Sequence, residues 1–152
     1  MAEVITKVIG LDLSDRTAEA CVLPLEGGDV EHRETLELTP VAMLEYFGER
    51  APVRVIMEAG THSPWLSRLL AELGHEVRVA DPRRLKLVTE NVRKSDYTDP
   101  ELLARMERVD DLELVRPVEH RDEQMQADLS VVKARDQLVK ARTALINFAR
   151  GT

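Results

Sequence analysis

Four carboxylates stand where an acid is either costly or purposeful. Asp12 lies in VIGLDLS and Glu58 in VIMEAG, each near the end of an apolar, strand-like run in which burying a charge is unfavourable. Asp96 and Asp99 lie in KSDYTDPELLARM, at the head of a helical segment, and the i, i+3 spacing puts both on one face. Carboxylates without a His or Cys cluster favour hard, oxygen-seeking cations, so Mg²⁺ or Mn²⁺ is expected rather than zinc. Four such groups suit two ions, which together activate a water or a 3′-hydroxyl and stabilise the leaving oxygen of an in-line phosphodiester displacement. Each acid also has a plainer reading. A strand-end Asp is often structural, and acids in a first helical turn complement the helix dipole. His32, His62, His75 and His120 are dispersed, so a histidine metal site is not expected. His62, four residues after Glu58, is either at the rim of the site or an ordinary loop histidine.

Immediately before the second acidic pair, residues 82–94 (PRRLKLVTENVRK) carry Arg83, Arg84, Lys86, Arg93 and Lys94 against one acid, Glu90. Beside the proposed metals this strip reads as a phosphate-contacting surface; its bland alternative is a solvated face. The net charge of −7 argues against a surface that coats nucleic acid generally, but leaves room for such a local strip. Cys21 is the single cysteine; with no disulfide partner it fits a reducing compartment and a small buried hydrophobe. The opening MAEVITKVIG lacks a secretory signal pattern, and no run approaches the roughly 18 apolar residues that a membrane span needs. A soluble, cytoplasmic protein with no membrane partner is expected.

The elements that must position these residues follow from pattern and punctuation. Residues 4–13 and 17–24 are apolar and β-branched, and 30–38 (VEHRETLEL) alternates like a half-exposed edge strand. Tight turns at Ser14-Asp15-Arg16 and Gly27-Gly28-Asp29 make the three an antiparallel meander. Thr39-Pro40, Ser63-Pro64 and Asp81-Pro82 each open a helix with a capping residue followed by Pro. Strands at 53–59 and 75–80 separate those helices, and Gly74 suits a helix C-cap. The order β-β-β-α-β-α-β-α predicts parallel pairing after the meander, which is the order of a ribonuclease-H-like α/β fold with a mixed sheet. A dinucleotide fold is the weaker alternative, because Gly10 stands alone where G-x-G-x-x-G would be required. From about Gln124 the tail is helical to Gly151. Val131, Ala134, Leu138, Ala141, Leu145 and Phe148 form a 3-4 seam, either docked on the same domain or acting as a coiled-coil arm for a second subunit.

The segments VIGLDLSDRTAEACVL, VIMEAGTHSPWLSRLLAELGHEVRVADPRRLK, KSDYTDPELLARM and LVKARTALINFARG together resemble the DEDD transposases of bacterial insertion sequences related to the Piv and MooV DNA invertases. The third segment is similar to that family's Lys-Ser/Thr-Asp-x-x-Asp-Ala helix, with Pro100 where Ala is usual. The resemblance covers essentially the whole chain. It implies a RuvC-like domain at 1–112, a helical coiled-coil extension at 113–152, and the four acidic catalytic and metal-binding roles at Asp12, Glu58, Asp96 and Asp99. It further implies DNA transposition, assembly as a homo-oligomer through 124–150 and use of an element-encoded guide RNA. The family's C-terminal domain, with its serine nucleophile, is expected to be absent from these residues.

Two other function classes are open. Half of an actin-like ATPase or sugar kinase shares the opening strand-turn-strand, but Asp15-Arg16 follows LDLS where a Gly-Thr-Thr-style phosphate turn would stand. A non-catalytic module that recruits a partner through its coiled coil is the other.

Overall fold

In a computed structural model, which describes residues 4–89, 100–109, 115–120 and 122–151, the three opening strands are β1 (Lys7–Leu13), β2 (Thr17–Pro24) and β3 (His32–Glu37). They are followed by α1 (Pro40–Phe47), β4 (Arg54–Glu58), α2 (Ser63–Glu72), β5 (Glu76–Ala80), α3 (Pro82–Thr89), α4 (Pro100–Arg108) and α5 (Glu123–Gly151). The sheet order is β3-β2-β1-β4-β5. β1 and β2 pair antiparallel, as do β2 and β3, whereas β1/β4 and β4/β5 are parallel. This is the expected mixed sheet, with β3 on its edge as the polar alternation of that strand requires.

Side-chain alternation sorts β1 between two cores. Ile9 and Leu11 join Met43 and Phe47 of α1 and Leu66 and Leu70 of α2 on one face. Val8 joins Cys21, Ile56, Leu85, Leu103 and Ala104 on the other, beneath α3 and α4. Gly10 and Asp12 share the side of Val8. Cys21 is free and buried.

The helix punctuation works largely as read. The Thr39 hydroxyl accepts from the Ala42 N–H at 3.2 Å, Asp81 Oδ1 accepts from the Arg83 N–H at 2.9 Å, and Gly74 takes φ +88 beyond the end of α2. Ser63 differs. Helix α2 already includes it, His62 holds the N-cap position, and the buried Ser63 hydroxyl instead accepts from the Gly60 N–H and donates to the Gly60 carbonyl, both at 2.9 Å. That pair of bonds ties the turn after β4 into one rigid piece.

Helix α4 crosses the face of β1, β2 and β4, and its seating depends on residues that pattern did not mark. A Cβ on Gly10 would collide with the Pro100 carbonyl oxygen and stand 3.0 Å from the Ala104 nitrogen, so only glycine admits the helix there. Near its other end Glu107, fully buried, pairs with Arg78 at 2.7 Å and Arg54 at 3.5 Å. Arg108 donates to the carbonyls of Pro24 (3.2 Å) and Gly28 (2.9 Å), and Glu101 pairs with Arg33 and Arg105.

The chain divides into two compact units, Met1–Glu119 and His120–Thr152. Residues 115–118 belong to the first: the Val118 N–H donates to the Val79 carbonyl at 2.7 Å, and Pro117 bridges Ala80. In the second, α5 runs 29 residues with none buried, so the whole heptad seam is exposed. Among the described residues, no helix is long and apolar enough to cross a membrane.

Candidate active site

Parallel pairing puts Leu11 opposite Met57, so the next residue of each strand, Asp12 and Glu58, emerges at the same end of two adjacent strands. Neighbouring strands lie about 4.8 Å apart, which leaves the two carboxylates within strong mutual influence. Glu58 bears the mark of this. Its carboxyl is pushed above the ordinary value of 4.5, first by burial and then by the negative charge of Asp12. Glu58 has no ion-pair partner among the described residues. The two acids open onto a cleft of about 250 Å³, whose walls include Ser14 and Asp15 from the β1–β2 turn and Gly60 and His62 from the β4–α2 turn.

Both turns are internally braced. The Ser14 hydroxyl donates to the Thr17 carbonyl at 2.9 Å, and Ser63 holds Gly60 as described. Asp12 and Glu58 therefore project from a rigid sheet between two fixed turns. Sequence reasoning found the two acids and left His62 undecided. It used Asp15 only as a turn residue; the turn that closes β1 onto β2 carries it into the cleft wall.

Asp96 and Asp99 lie outside the described residues, as do Arg93 and Lys94. The helix they precede is described, and its first residue, Pro100, is the one packed on Gly10, two residues before Asp12. Among the described residues no group of three or more His, Cys, Asp or Glu forms a metal cluster; the site contributes two carboxylates. Of the basic strip, Arg83 and Lys86 are exposed on α3 and Arg84 is half-buried, while Leu85 between them turns into the core.

Residues 9–152 match the DEDD transposase family of the IS110 type, described as Transposase. This chain belongs to that family. A relative named "Probable family 20 transposase", from Pseudomonas aeruginosa, is 32% identical over 94% of this chain and 40% of its own length. A second relative named as a transposase, from Sinorhizobium fredii, is 30% identical over 94% of this chain and 35% of its own length. The chain thus spans about two fifths or less of the curated relatives it matches. Among solved structures it is similar to "T. thermophilus RuvC in complex with Holliday junction substrate", at 15% identity and TM-score 0.45, covering 65% of this chain and 90% of that one. It is also similar to "Thermus thermophilus RuvC structure", at 16% identity and TM-score 0.44, covering 77% and 84%. The strand order of this domain, β3-β2-β1-β4-β5 with an antiparallel first half and a parallel second, is that of a ribonuclease-H-like mixed sheet.

Proposed function

We propose that this domain is the metal-dependent catalytic part of a DNA transposase, with Asp12, Glu58, Asp96 and Asp99 as ligands for Mg²⁺ or Mn²⁺. One observation carries the reading: two carboxylates that repel each other stand side by side at the ends of adjacent parallel strands, facing a cleft. Proteins keep such a pair when something positive compensates it. Connectivity supports drawing in the second pair, because Asp99 is bonded to Pro100, and Pro100 rests on Gly10.

The donor set fits a hard divalent cation. It offers carboxylate oxygens alone, partly desolvated, in surplus negative charge. When bound, the ions supply activation of a water or 3′-hydroxyl and charge stabilisation of the leaving oxygen in phosphodiester cleavage and strand transfer. The residues of the chain do the positioning. The sheet fixes Asp12 relative to Glu58, and the braced turns keep the cleft open to a strand of DNA. Arg83, Arg84, Lys86, Arg93 and Lys94 contact its phosphates, which orients the duplex without reading sequence. The catalytic domain is 1–112 and the extension 113–152, whose residues 115–118 still pack on β5 before α5 begins. Copies assemble through 124–150, and an element-encoded guide RNA is a further partner.

The test is thermal unfolding in EDTA and in millimolar Mg²⁺ or Mn²⁺. The metal is expected to raise Tm by several degrees, through preferential binding to the folded state, and Asp12→Asn to remove most of that gain while keeping the metal-free fold. A melting curve indifferent to metal would overturn the proposal.

A further inference from the structure

His62 lines the same cleft as Asp12 and Glu58, and its protonation pattern is set by a neighbour. Trp65, one helical turn along α2, donates its indole Nε1–H to His62 Nδ1 at 3.2 Å, with the two rings at 87°. Indole is a donor only, so Nδ1 must act as the acceptor, and the neutral ring carries its proton on Nε2. That Nε2–H has no partner among the described residues. The backbone beneath the imidazole is fixed as well: Ser63 is buried and doubly bonded to Gly60, so His62 sits between a braced turn and a tryptophan clamp. A cleft walled by acids thus contains an oriented N–H donor with no acceptor among the described residues. The matching ligand atom is an anionic oxygen that approaches the carboxylates only with the help of a cation.

We propose that His62 contacts substrate, donating its Nε2–H to a non-bridging phosphate oxygen of nucleic acid bound over Asp12 and Glu58, with Trp65 as the positioning residue that fixes the tautomer. This rests on reading those carboxylates as a metal-dependent phosphodiester site.

The experiment uses the full 152-residue chain and a short duplex oligonucleotide, with affinity read by fluorescence anisotropy in Mg²⁺ and in EDTA. His62→Ala is expected to lower the Mg²⁺-dependent affinity about tenfold, the usual worth of a hydrogen bond to a charged group, while leaving the rise of Tm in Mg²⁺ as in the wild type. His62→Gln, which keeps an N–H donor, recovers most of the loss. Trp65→Phe keeps the aromatic packing, frees the tautomer and loses affinity to a smaller degree. In parallel, ¹⁵N-labelled histidine spectra should give His62 as the Nε2–H tautomer and move its Nε2 signal when the duplex is added. Wild-type affinity in His62→Ala, with Mg²⁺ stabilisation intact, overturns the inference and leaves the metal site standing. Absence of Mg²⁺ stabilisation in the wild type is the failure of the metal reading instead. In that event an Nε2 signal unmoved by the duplex overturns the His62 contact too.

Discussion

Glu58 is an acid whose ionisation the fold opposes, and its behaviour with pH should run against that of a typical carboxylate. Its carboxyl titrates above 4.5, the ordinary value, because burial and then the Asp12 charge penalise the anion. The native state therefore holds this proton more tightly than the unfolded chain does. The resulting penalty is full above the raised native value and is relieved as pH falls through it toward 4.5. In EDTA, Glu58→Gln should accordingly be more stable than the wild type near neutral pH, and the difference between the two should shrink on acidification. Paired Tm measurements across that range check this, since other groups cancel in the difference. Equal stability of the two proteins at neutral pH, with parallel slopes, would sink the account. Adding Mg²⁺ should invert the order, because a bound cation favours the ionised form that only the wild type has. Asp12 and Glu58 were legible in the sequence for the same reason that they are strained in the fold: an acid ending an apolar strand is an expense that chance does not explain. His62 was less legible. Its four-residue distance from Glu58 is local, but the indole contact that orients it depends on α2 starting one residue earlier than Ser63-Pro64 suggests.

At the scale of elements, the strands, their order and three helix starts could be read from alternation and from Thr-Pro, Ser-Pro and Asp-Pro pairs, since these are local signals. The seating of α4 could not. Gly10 of β1 receives the start of the helix and Glu107 anchors its end to Arg54 and Arg78, contacts distant in sequence, and no periodicity encodes which face of a sheet that helix will cover. Gly10 read as a lone glycine that argues against a dinucleotide turn; its actual work is to let the Pro100 backbone approach β1. Two substitutions test this. Gly10→Ala should cost about 1–3 kcal/mol, because the added methyl meets backbone that no rotamer change can move aside. Glu107→Ala should cost about 2–3 kcal/mol, since it removes the buried acid that Arg54 and Arg78 share and leaves them Glu76, 3.1 Å from each. Denaturant titration gives both numbers. Values within about 0.5 kcal/mol of the wild type would mean that α4 is not held as described. If α4 also carries the second acidic pair to the first, Gly10→Ala should weaken Mg²⁺ stabilisation beyond its loss of intrinsic stability.

The whole molecule poses a different question, because its two compact units have opposite characters. Met1–Glu119 buries two largely aliphatic clusters, one on either side of its sheet. His120–Thr152 carries one long helix, Glu123–Gly151, with Val131, Leu138, Leu145 and Phe148 each about 70% exposed along one seam. Isolated helices are marginal in water, and most helical stability in proteins comes from packing an apolar face. A second copy offers the simplest cover: the 3-4 spacing from Val131 to Phe148 supplies about two and a half heptads of knobs and holes to an identical partner. The protein should therefore show a mass that rises toward a dimer or larger assembly with concentration in sedimentation equilibrium. Replacing Leu138 and Leu145 with Glu should leave a monomer at all concentrations, with the helical circular dichroism reduced. The thermal unfolding of the sheet unit, and its response to Mg²⁺, should be unaffected by that change, because no residue of the seam belongs to either core. A wild-type protein that stays monomeric at high micromolar concentration, with α5 still helical, would show that the seam needs no second copy.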